Sequence, residues 1–184
     1  MHKAVAKRAA KFLVPSGLTP IMAIATLASV LLFKIPQGSQ AQAQTPPIFE
    51  NVTIGSKFSP DPLTIRGLSG GEASAKTVAG RQETLNGPCV GFMNEKPDHT
   101  LRLTSFFNYL SIVVESPEDT TIVIKGPGGT WCNDEYQGKN PGIAGQWLAG
   151  KYQIWVGSYD QKKYHPYSIK ITSAPLLNPG PFRR

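Results

Sequence analysis

Between Asp119 and Tyr159 apolar residues recur with a period of two, and this limits what the chain can build. Ile122 and Ile124 alternate with Thr121, Val123 and Lys125, and Tyr152, Ile154 and Val156 form a second apolar row. Successive side chains of a strand point to opposite faces, so each row marks one buried face of a sheet. The same period returns at Leu63 and Ile65, at Leu101 and Leu103, at Leu110, Ile112 and Val114, and at Tyr167, Ile169 and Ile171. Clusters of Gly, Pro, Asn and Asp separate these rows, and beyond the first 43 residues no stretch of ten or more shows helical spacing. The pattern predicts an all-β fold, an antiparallel β-sandwich or jelly roll of about eight or nine short strands.

Weaker segments fill in the order. Ala73–Val78 reads as a faintly apolar strand and Cys89–Met93 as a short one. Ser116–Asp119 reads as the turn of a hairpin, as does the Gly-rich run Lys125–Thr130. That run is no phosphate loop: it lacks the Gly-Lys-Ser/Thr ending, Pro127 removes a backbone donor, and no helix follows.

The N-terminus is composed differently. Lys3, Lys7, Arg8 and Lys11 precede an uninterrupted apolar run, Ile21–Phe33, of 13 residues, and then Ala41-Gln42-Ala43. The run is shorter than the roughly 20 residues of a membrane-spanning helix. This order predicts a signal peptide over residues 1–43, cleaved after Ala43, and a secreted or periplasmic protein. The alternative is a retained anchor over Phe12–Phe33, which Pro15, Gly17 and Pro20 interrupt. Residues 44–60 then read as a Pro-rich arm or linker, 61–174 as the sandwich and 175–184 as a flexible tail. Five of the basic residues lie in the leader with no acid, so cleavage lowers the net charge of +7 by five, to +2. That leaves no basic stripe for nucleic acid, and no stable membrane span remains after cleavage.

Cys89 and Cys132 are the only cysteines, and an exported chain meets an oxidising compartment, so a disulfide between them is expected. His99 and His165 are the only histidines outside the leader. Asp98 is adjacent to His99, and strand neighbours point to opposite faces, so the pair is badly placed for nucleophilic catalysis. No nucleophile-elbow pattern occurs, and the adjacent Asp134 and Glu135 do not define two opposed faces of a sugar. No catalytic residue is assigned.

Two candidate sites remain. Asn133, Asp134, Glu135 and Asn140 offer the oxygen ligands of calcium, although Asx turns alone explain Asn and Asp in a tight loop. Trp155 and Tyr159 share the face opposite Ile154, so they form either an exposed strip for ligand binding or a surface buried against the arm or the disulfide.

Asp119-Thr120-Thr121-Ile122-Val123-Ile124 with Gly126-Pro127, Cys132-Asn133-Asp134 with Asn140-Pro141, the run Gly150–Tyr159 and the closing Tyr167-Ser168-Ile169 make a set. Over about Cys89–Ser173 this set resembles the bacterial pre-peptidase C-terminal domain family. The resemblance implies a secreted, non-catalytic β-sandwich, often appended to proteases, that in some members binds calcium or matrix. Glu135 stands where that family usually has a second Asp, and the chain contains no protease domain. The expectation is an exported, non-enzymatic binding or adhesion module whose partner is a polysaccharide or an envelope or secreted protein. The alternative is a small secreted hydrolase or a protease-associated inhibitor.

Overall fold

The computed structural model describes residues 48–175; the expected signal peptide and the tail beyond Pro175 lie outside the described residues. In chain order the elements are β1 (Val52–Ile54), β2 (Leu63–Leu68), β3 (Ala73–Ser74), α1 (Ala75–Ala79), β4 (Glu83–Thr84), β5 (Gly87–Pro88) and β6 (Phe92–Met93). They continue with β7 (His99–Leu103), β8 (Phe107–Glu115), β9 (Thr120–Gly126), β10 (Gly129–Asn133), β11 (Gly142–Trp147), β12 (Gly150–Ser158) and β13 (Pro166–Thr172). Among the described residues, nine strands have three residues or more, as the alternating rows predict.

The strands form a sandwich. One sheet is built around β12, which pairs antiparallel with β7 over Gly150–Ile154 and with β9 over Gln153–Ser158. β10 extends it beyond β9, β1 runs parallel to β7 at the other edge, and β6 meets the end of β12 at Ser158. The other sheet has the order β11-β8-β13-β2. Between them lie Leu101, Leu103, Ile122, Ile124, Tyr152, Ile154 and Val156 from the first sheet. Facing these are Ile65, Leu110, Ile112, Val114, Ile143, Ile169 and Ile171 from the second. The apolar rows read from sequence are the two inner faces.

Four local expectations are corrected. Ser116–Asp119 is not a hairpin, because β8 pairs β11 and β13 whereas β9 pairs β10 and β12, so the segment crosses from one sheet to the other. Ala73–Val78 is a two-residue strand followed by one helical turn. Ser74 caps that turn by accepting from Thr77 N, and Gly80, at φ 74°, closes it. Of Cys89–Met93 only the last two residues are strand: β6 pairs with β3 and β12, while β5, which pairs with β4, ends before Cys89.

The fourth concerns the arm. Val52–Ile54, within the stretch expected to be loose, lies in register with Leu101–Leu103, and Ile48 bridges Arg66 on β2. Residues 48–54 thus touch an edge of each sheet, which covers two edges that would otherwise offer unpaired backbone.

Candidate functional site

Trp155 does point away from Ile154, but that face is dry. The indole is 5% exposed and packs with Val123, Met93, Ala75, Ala79, Cys89 and Cys132, while its Nε1–H donates to the Glu95 carbonyl at 3.3 Å. The Cys89–Cys132 disulfide is formed, with the Cα atoms 5.1 Å apart. With α1 it covers the outer face of β9 and β12. Tyr159 is half exposed. The strip of two exposed aromatics is therefore corrected, and burial against the disulfide is what the fold contains.

The candidate calcium loop uses its amides to hold itself. Asn133 donates from Nδ2 to the Asn86 carbonyl (2.8 Å) and accepts at Oδ1 from Gly142 N (2.9 Å). Asn140 accepts at Oδ1 from Ser116 N (3.1 Å), and its carbonyl accepts from Tyr136 N and Gln137 N. Among the described residues no group of three or more His, Cys, Asp or Glu side chains is placed to hold a metal ion. Of Asn133, Asp134, Glu135 and Asn140, the two asparagines thus each accept a backbone N–H at the side-chain oxygen, as the Asx-turn reading of the loop expects.

Asp98 and His99 lead in different directions. A carbonyl can only accept, so His99 Nδ1–H donates to the Glu50 carbonyl (2.8 Å), leaving Nε2 to accept from the Tyr167 hydroxyl (2.8 Å). Burial holds the imidazole below its ordinary value. The Tyr167 phenol is pushed up, first by burial and then by the Asp98 charge. One nitrogen of His99 thus holds residue 50 against β7, and the other ties β7 to β13.

Asp98 continues the β7–β12 ladder where Pro97 has no N–H to give. Its own N–H donates to the Ile154 carbonyl (2.9 Å), and its carboxylate accepts from Val156 N (2.8 Å) and from Asn94 Nδ2 (2.9 Å). Burial raises the carboxyl to about 6, against the lowering effect of those two hydrogen bonds.

Beside Asp98 opens a cleft of about 550 Å³ walled by Phe49, Glu72, Ala73 and the loop Asn94–Asp98. Its walls are positioned by close backbone packing. A Cβ at Gly71 would lie 2.2 Å from the Met93 carbonyl carbon, so only glycine lets Glu72 come down beside Asn94. The opposite wall is pinned to β12 by Asp98 and by the Trp155 indole, and Phe49 leans on His99 with ring centroids 6.2 Å apart. Phe49 has φ 58°, a backbone conformation that bulky side chains seldom adopt. Sequence reasoning missed this cleft, and its one local signal is Gly70-Gly71 ahead of an acidic residue.

No family model matches the chain. An uncharacterized protein of Synechococcus elongatus is 31% identical over 86 residues, a stretch covering 45% of this chain and 63% of that protein. The chain thus spans less than two thirds of that relative's length. Among solved structures it is similar to the pre-peptidase C-terminal domain of a collagenase from Bacillus anthracis, the family whose motifs it resembles. That likeness has 17% identity and a TM-score of 0.41 and covers 70% of this chain and 100% of the other. It is also similar to PliG of Aeromonas hydrophila, a periplasmic inhibitor of g-type lysozyme, with 13% identity and a TM-score of 0.38 over 67% and 96% of the two chains.

Proposed function

We propose that the chain is an exported, non-catalytic β-sandwich that acts as a binding or adhesion module of the cell envelope or exterior, with the cleft beside Asp98 as its ligand site. The observation that carries this reading is a preformed cleft, in the size range of ligand pockets, with walls held by the β12 backbone and the Trp155 indole. The engaged nitrogens of His99 favour a binding role over acid–base chemistry at this position. Export is supported by the formed disulfide, which persists in oxidising compartments, and by the N-terminal pattern of basic, apolar and small residues.

The test pairs a binding assay with an activity screen. Protein is passed over polysaccharide, peptidoglycan and envelope-protein supports and assayed for glycosidase, esterase and protease turnover. The expected result is retention on one support without turnover, weakened about tenfold by Phe49→Ala. Turnover that follows the protein through purification would overturn the reading, and so would retention indifferent to Phe49→Ala.

A further inference from the structure

Resting on the cleft as the ligand site, we propose that its occupant is a basic side chain of a polypeptide, arginine or lysine. Its stem would lie along Phe49 and Pro97, and its cationic head would meet the carboxylates of Glu72, Glu95 and Asp98. The charges lining the cleft are these three carboxylates and one opposing ammonium, Lys96. An anionic polymer is repelled by that set, and a neutral sugar makes no use of its charge.

The choice of an organic cation over a metal ion follows from spacing. The carboxylates share one cleft, yet they form no group close enough to ligate a single ion. A guanidinium or alkylammonium on a flexible stem can address acids set apart in this way.

The cleft also has the apolar surface such a stem needs. Phe49 is 37% exposed at the rim, where an aromatic face attracts a cation, and Pro97 and Ala73 add aliphatic wall. Asp98 has two hydrogen bonds within the fold, and a carboxylate offers about four lone-pair sites, so it can accept from a ligand without releasing Val156 N or Asn94. The partner class is therefore a secreted or envelope protein that presents Arg or Lys on an exposed segment.

The experiment titrates the full protein, at low ionic strength, with acetyl-Gly-Arg-Gly-amide and with the same peptide carrying citrulline, which keeps the shape and removes the charge. The Trp155 indole N–H signal serves as reporter, because that group is bonded to the Glu95 carbonyl in the cleft wall. The arginine peptide, and its lysine counterpart, should shift the signal, and citrulline should bind at least about tenfold more weakly. The double variant Glu72→Gln, Glu95→Gln alters two exposed side chains and should weaken the arginine peptide about tenfold with an unchanged melting temperature.

Equal binding of the arginine and citrulline peptides, no binding of either, or indifference to the double variant would overturn the proposal. Its failure is separable from failure of the cleft as a site. Support retention that falls with Phe49→Ala but not with the double variant keeps the cleft and discards the cation. Retention indifferent to Phe49→Ala discards both.

Discussion

The two faces of β12 are buried by different means. On the inner face Tyr152, Ile154 and Val156 meet aliphatic rows from the opposing sheet, and the polar atoms of the large side chains there are bonded. Trp147 Nε1–H donates to the Leu110 carbonyl (2.8 Å) and the Tyr152 hydroxyl to the Leu148 carbonyl (2.9 Å). On the outer face Trp155 and Val123 lie beneath one helical turn, Met93 and a disulfide, a second and smaller core. The difference teaches that alternation sorts residues onto faces without saying which face stays wet. That is decided by segments distant in sequence, here Ala75–Ala79 and Cys89.

The largest expected effect tests whether the outer core matters as much as the inner one. Truncating a buried Trp costs about 3–5 kcal/mol, so Trp155→Ala should destabilise the protein about as much as a truncation between the sheets. Chemical denaturation of the oxidised protein measures it. A loss below about 1 kcal/mol would mean that the outer cover is loose and that Trp155 tolerates exposure.

Asp98 joins the two regions, since the loop that packs on Trp155 is tied through this carboxylate to the β12 backbone. Its carboxyl is raised from an ordinary 3.8 to about 6. A raised acid binds more protons in the folded state than in the unfolded state between those values, so its contribution is greatest below 3.8 and is lost as pH rises through about 6. The span corresponds to about 3 kcal/mol. His99 acts oppositely: its depressed value removes stability as pH falls below an ordinary 6.5. Asp98→Asn retains His99, so comparison with the parent isolates the carboxyl. Between pH 4 and pH 7 the variant should gain about 2 kcal/mol relative to the parent. Parallel stability curves would show that Asp98 titrates normally.

The strands were legible because their signal is local. Leu110, Ile112 and Val114, or Tyr167, Ile169 and Ile171, state their face within five residues. Helix α1 was not, because one turn with buried Ala75 and Ala79 has too few apolar positions to show a period, although Ser74 and Gly80 mark its two ends. The face of Trp155 was legible and its burial was not, since the covering residues stand 23 or more positions away. The disulfide followed from cysteine count and compartment. The cleft is hidden for a further reason: it exists between loops, and its shape depends on how closely Gly71 approaches Met93.

The smallest effect concerns polar satisfaction, where each face of β9 carries a buried threonine hydroxyl without a partner, Thr120 on the inner row and Thr121 on the outer. Thr121 stands on β9 two positions before Val123, on the outer face, where it is 1% exposed and its hydroxyl has no hydrogen-bond partner. The backbone at Gly91 and Gly157 comes so close that a Cβ at either would lie within 2.8 Å of the Thr121 hydroxyl oxygen, leaving little room for a water. A buried hydroxyl without a partner forfeits its hydration and recovers nothing. Valine has nearly the same shape and carries no such debt, so Thr121→Val should stabilise the protein by about 1 kcal/mol, raising the melting temperature by about 3–5 °C. A fall of similar size would show that the hydroxyl is bonded in solution, and Thr120 on the inner row would then be the less satisfied of the two.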